Sequence, residues 1–141
     1  DRHHENWGVL YDPEPRLAPS YDHASSLGRE LNDRNKATRL DGRDSRQTVE
    51  TYIKRARSAF FEHTTSEKPV HPLKAFELAW RVRPLAGRVF LARLNSVSED
   101  ALSETVERIP AEMTTPTSQR FCIEVLRKNR LHLENLVEPK P

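Results

Sequence analysis

From Asp44 to the C-terminus the apolar residues recur at helical spacing, while Pro72, Pro84 and Pro110 forbid one continuous helix. Proline lacks the backbone N–H that a helix interior needs and is tolerated only in the first turn. The pattern therefore predicts several short, packed helices. Val49, Tyr52, Ile53, Ala56 and Phe60 stand at i, i+3, i+4, i+7 and i+11, on one face of an amphipathic helix. Leu73, Phe76, Ala79, Trp80 and Val82 make the next helix, with Pro72 in its first turn and Pro84 interrupting it. Leu85, Val89, Phe90, Leu91 and Leu94 are apolar nearly all round, so their helix is expected to be the most buried. Ser98 is placed to cap a helix carrying Leu102, Thr105, Val106 and Ile109 before Pro110 stops it. Thr117 or Ser118 is expected to cap the last helix, which carries Phe121, Cys122, Val125, Leu126, Leu133 and Leu136 before a tail that frays from Glu138 to Pro141. Trp80 and Phe90 are expected in the core, and Cys122 as a buried, inert thiol.

With 141 residues the chain has the length of a single domain, and at that size about 70% of the unfolded surface is buried on folding. Apolar residues make up 35% of the chain against 31% charged, and mean hydropathy is −0.79. Clustered apolar positions nevertheless argue for a core. No apolar run approaches the roughly 20 residues of a membrane span, and no signal-peptide pattern opens the chain, so a cytoplasmic protein is expected. The single cysteine excludes an internal disulfide, and no cysteine spacing suggests structural zinc. A net charge of +2 names no partner. The chain opens at Asp1 and its sole methionine is Met113, which leads to the expectation of a piece of a longer polypeptide.

The first 28 residues carry the chemistry. Trp7 to Tyr11 reads as a strand, Asp12 to Pro15 as a turn, and Arg16 to Pro19 as the returning strand, together a hairpin. The stretch from Asp22 to Arg43 mixes Ser25, Ser26 and Gly28 with charges and sparse apolar residues, a loop with one or two short helices. Asp1 precedes Asn6 by five positions, and Asp22 follows sixteen residues later, beyond the hairpin. Phosphoryl transfer from ATP needs a group that orients and deprotonates the acceptor hydroxyl and oxygen ligands that hold Mg²⁺ on the phosphates. Protein kinases place their catalytic-loop Asp and Asn five apart and a second metal-binding Asp further on. Asp1, Asn6 and Asp22 reproduce that spacing.

The run Asp1-Arg2-His3-His4-Glu5-Asn6 resembles the D-R-H-x-x-N catalytic loop of phosphatidylinositol kinases. The longer string DRHHENWGVL followed by RLAPSYDHASSLG is similar to HipA-like serine/threonine kinases, and a looser likeness runs through Tyr52 to Ser58 and the helices beyond. The resemblance implies a mainly α fold, the helical C-terminal lobe of a protein-kinase-like fold, with a short N-terminal β-hairpin carrying the catalytic loop. The site would span 1–28 and a helical bundle 44–137 of one domain. By position, Asp1 would be the catalytic base, Asn6 and Asp22 would bind Mg²⁺ and the ATP held with it, and His3 would support the loop or, in the lipid-kinase reading, take part in catalysis. A glycine-rich phosphate loop, a strand lysine and its paired glutamate would lie upstream of Asp1, so ATP binding by this chain alone should be weak. Tyr21-Asp22-His23 replaces the Asp-Phe-Gly of ordinary protein kinases, so an activation-loop switch of that type is not assumed.

The implied activity is transfer of the ATP γ-phosphate to a Ser/Thr hydroxyl of a protein. The alternatives are a phosphatidylinositol-kinase-like enzyme acting on an inositol lipid, or a non-catalytic regulatory module with an antitoxin-type protein partner. His3, His4 and His23 raise the alternative of a transition-metal site, but adjacent histidines in an extended segment point apart. Arg29, Arg34, Lys36, Arg39, Arg43 and Arg46 interleave with Asp33, Asp41 and Asp44 and include no aromatic residue to stack bases. They read as a solvated face, and direct nucleic-acid binding is not expected.

Overall fold

A computed structural model describes residues 6, 8–19, 21–22 and 26–137. Two short strands, β1 (Val9–Tyr11) and β2 (Pro15–Leu17), pair antiparallel with Val9 opposite Leu17, Leu10 opposite Arg16 and Tyr11 opposite Pro15. Six helices follow among the described residues: α1 (Asp33–Asp41), α2 (Val49–Lys54), α3 (Pro72–Val82), α4 (Pro84–Asn95), α5 (Glu99–Glu107) and α6 (Pro116–Glu134). The chain is thus mainly helical with one small antiparallel hairpin. No helix among the described residues is long and apolar enough to cross a membrane.

The helices begin where local chemistry directs. Asn32 accepts from the Asn35 amide at the start of α1, and Gly42, at φ 69°, ends that helix in the left-handed region. Thr48 and Thr51 form a reciprocal capping box at α2. Ser98 Oγ accepts from the Ala101 amide at α5, as its position predicts. For α6 the cap is Thr115, whose Oγ1 accepts from the Ser118 amide, rather than Thr117 or Ser118. Pro116 explains the difference: it suits the first helical position and holds the residue before it extended, the backbone a cap requires.

The last helix, about 28 Å long at 1.5 Å per residue, packs against α1, α2, α4 and α5. Its Phe121 and Val125 meet Val49 and Ile53 of α2 in the main core, with Leu31, Leu40 and Tyr52 closing the edges. Arg130 on α6 reaches back to the end of α4, donating to the carbonyls of Val97 at 2.6 Å and Asn95 at 3.4 Å, while its Nε holds Glu134 at 2.7 Å.

Two helical expectations are corrected. The helix predicted through Ala56 and Phe60 ends at Lys54. The His71 Nδ1 accepts from the Leu73 amide at 3.2 Å, so Nε2 carries the proton and donates to the Ile53 carbonyl at 3.0 Å. Past that point Ser58 and Phe60 exchange backbone hydrogen bonds with Val70 instead of continuing the helical ladder. The helix expected to be most buried, α4, is among the most exposed: Leu85 is 71% and Phe90 47% accessible, and only Gly87 is buried. Its apolar surface exceeds what α3 and α6 cover, and its contact with α3 is close where Gly87 sits against the indole of Trp80. Trp80 is core as expected, and Phe90 is not.

The arginine-rich stretch is also more than a solvated face. Lys36 is buried, its ammonium donating to Ser118 Oγ at 2.7 Å, and that hydroxyl donates to Asp33 at 3.0 Å. The guanidinium of Arg39 lies over the Tyr52 ring, 5.7 Å from its centroid. Arg43 and Arg46 pair on the surface with Asp41 and Asp44.

Candidate functional site

The hairpin folds the chain back on itself between Asn6 and Asp22. The Ala18 amide donates to the Gly8 carbonyl at 2.8 Å, extending the pairing toward the open end of the hairpin. There Asn6 Nδ2 donates to the Asp22 backbone carbonyl at 2.8 Å. Residues sixteen apart in sequence are thereby joined, and Asn6 is 1% exposed. Its other amide atom, Oδ1, is buried with no hydrogen-bond partner among the described residues. A buried amide oxygen without a donor is costly, by about 1–3 kcal/mol. A hard cation, which prefers carboxylate and amide oxygens, would relieve that cost.

Asp22 is exposed and holds φ at 53°, in the left-handed region. Non-glycine residues are uncommon there, with Asp and Asn tolerated best. Leu27 at 54° and Gly28 at 80° follow in the same region. Two contacts fix Gly28 and Glu30 to the core. The Gly28 Cα lies against the Phe121 ring, so closely that a Cβ there would approach Cε1 to 2.5 Å. Glu30 accepts from the Tyr52 hydroxyl at 2.7 Å, and the Tyr52 ring meets Phe121 edge-on at 5.3 Å. Burial, reinforced by the Glu30 carboxylate, pushes the Tyr52 phenol upward.

Of the residues singled out from sequence, Asn6 and Asp22 come together in this way. Asp1, His3, His4, His23 and the 138–141 tail lie outside the described residues. The Asn6 amide oxygen and the Asp22 carboxylate are oxygen donors of the types Mg²⁺ accepts. Among the described residues no group of three or more His, Cys, Asp or Glu side chains gathers into a metal site. Cys122 is half-buried and burial raises its thiol pKa, with Lys36 opposing, which suits an unreactive thiol.

Sequence reasoning passed over Gly28 and Tyr52, the residues that brace the Asp22 segment. An isolated glycine six residues after a suspected ligand was the available signal, since such glycines mark left-handed backbone or close approach. No protein-family model, curated protein or solved structure matches the chain.

Proposed function

We propose that Asn6 and Asp22 form the metal-binding part of a phosphotransfer site, in the C-terminal lobe of a HipA-like kinase that passes the ATP γ-phosphate to a Ser/Thr hydroxyl. The observation that carries this reading is the Asn6 side chain, bonded through Nδ2 to the backbone of Asp22 and holding a buried Oδ1 with no partner among the described residues. The spacing of Asp1, Asn6 and Asp22 supports it, as does the left-handed backbone at Asp22, because strained residues are retained where the surroundings over-determine them. Asn6 Oδ1 and the Asp22 carboxylate would hold Mg²⁺, which when bound neutralises phosphate charge. Asp1 would orient the acceptor hydroxyl and take its proton. Asn6 positions Asp22 through the same amide that would bind the metal, so ligand geometry and loop geometry are set by one residue.

Titration with Mn²⁺ in place of Mg²⁺ tests the metal site directly on this chain. Paramagnetic broadening should centre on the Asn6 side-chain amide and the Asp22 backbone amide and disappear in Asp22→Asn; uniform or absent broadening overturns the assignment. In a polypeptide that also carries the upstream nucleotide-gripping lobe, Asp1→Asn should abolish transfer with Mg²⁺–ATP affinity intact. Asp22→Asn should lower that affinity as well. Full activity in Asp1→Asn, or unchanged affinity in Asp22→Asn, would show the roles to be wrong. In the same assay a supporting His3 would lose activity only in part on replacement by Ala, whereas a catalytic His3 would lose about as much as Asp1→Asn.

A further inference from the structure

Along α3 the chain leaves an open apolar groove of about 960 Å³, lined by Phe60, Phe61, Phe76, Ala79, Val82 and Phe90. Phe60, Phe61 and Phe90 are each about half exposed, so the groove is a surface channel rather than an enclosed cavity. Phe76 and Phe90 pack at 5.2 Å between ring centroids, and Phe76 rests in turn on buried Trp80 at 5.7 Å, which gives the groove a rigid aromatic floor. Leu85 and Val89 of α4 are exposed as well, outside the groove. Contiguous apolar patches of this kind on a folded chain mark interaction sites.

Charge at the rim identifies the occupant. Arg57, Arg81 and Arg83 line the groove against the single carboxylate of Glu62. The guanidinium of Arg57 donates to the Ala56 carbonyl at 2.9 Å and that of Arg83 to the Val82 carbonyl at 3.5 Å, in each case the preceding residue. Neither has a carboxylate partner among the described residues. Arg81 reaches Glu77 only at 3.8 Å. Among the described residues, the rim therefore carries cationic charge at Arg57 and Arg83 that no carboxylate neutralises. A two-fold pairing of this face with a second copy would bring two net-cationic rims together, which disfavours self-association.

We infer that this groove docks a segment of a partner protein that presents two or three large apolar side chains flanked by Asp or Glu. The apolar side chains would fill the space between Phe61 and Phe90, and the carboxylates would meet Arg57 and Arg83 as bidentate ion pairs at the edge. This surface is separate from Asn6 and Asp22, and the inference stands whatever that site does.

Selection of displayed peptides on the immobilised 141-residue chain tests the inference. Enriched sequences should combine paired Leu, Phe, Ile or Trp with flanking acids, and a synthetic peptide of that sequence should bind in fluorescence anisotropy with affinity that falls as salt rises. Phe61→Asp should weaken binding at least tenfold. The double variant Arg57→Glu, Arg83→Glu should lose the acidic peptide and gain affinity for its lysine-flanked counterpart, a reversal that loss of folding cannot produce. Enrichment without an acidic-apolar motif, or binding indifferent to both variants, would overturn the inference. So would a concentration-dependent dimer in sedimentation that Phe61→Asp abolishes, because the occupant would then be a second copy.

Discussion

Replacing Gly28 by alanine probes how the Asp22 segment is tied to the core, and its cost can be worked from two separate features. At φ 80° an added Cβ meets the following carbonyl oxygen, a penalty of roughly 1–2 kcal/mol. The same Cβ would approach Phe121 Cε1 to 2.5 Å and Cδ1 to 2.9 Å. Phe121 is fully buried between Tyr52, Val49 and Val125 and has no free direction to yield, so overpacking adds about 1–3 kcal/mol. Reduced freedom of the unfolded chain returns about 0.4–1 kcal/mol. The net loss is about 1–4.5 kcal/mol, or roughly 4–18 °C in Tm at about 4 °C per kcal/mol. Gly42 is the internal control, because it shares a left-handed φ of 69° but has nothing within 4 Å of its Cβ direction. Gly42→Ala should therefore cost only about 0–1.5 kcal/mol. Urea unfolding of both variants, and of each in a Phe121→Leu background, separates the two contributions. The smaller side chain should reduce the cost of Gly28→Ala by at least about 1 kcal/mol and leave Gly42→Ala unchanged. Equal costs for the two glycine variants, or a Gly28→Ala cost insensitive to Phe121→Leu, would refute the steric account of how this segment is held.

Gly87→Ala should destabilise the contact of α3 with α4, because its Cβ would fall inside the Trp80 indole; a loss of roughly 1–3 kcal/mol, with a shift in Trp80 emission, is the expected result. In the buried pair at α1 and α6, Ser118→Ala strands the Lys36 ammonium and should cost about 1–3 kcal/mol, more than Lys36→Met, which removes the buried charge altogether. Urea unfolding that ranked these two in the opposite order would count against the network. Tyr52 carries a pH signature: with its pKa raised in the folded state, its contribution is intact below the unfolded value of 10.0 and is lost as pH rises above it. Wild-type stability should accordingly fall relative to Tyr52→Phe above about pH 10, and parallel pH profiles for the two proteins would contradict the burial assigned to the ring.

The sequence alone determined where several of the helices start, because those signals are local. Pro72 and Pro84 sit at first helical positions, Ser98 accepts the hydrogen bond its position offers, and the face carrying Val49 and Ile53 is the one that enters the core. The hairpin and the spacing from Asn6 to Asp22 were legible for the same reason. Tertiary structure decided the rest. Where α2 stops is set by His71, eighteen residues beyond the carbonyl it caps, and periodicity carries no information about such a partner. Burial of α4 failed as an expectation because an apolar face specifies what can be buried, whereas the neighbouring surface decides what is; α3 and α6 leave Leu85 and Phe90 open. Lys36 was placed in solvent by its charge and lies buried, because Ser118 on a distant helix supplies the acceptor that makes burial affordable. At the candidate site, composition and spacing could nominate Asn6 and Asp22, but the bond from Asn6 to the Asp22 backbone, the left-handed backbone at Asp22, Leu27 and Gly28, and the contacts of Gly28 with Phe121 and of Glu30 with Tyr52 are made by residues far apart in sequence.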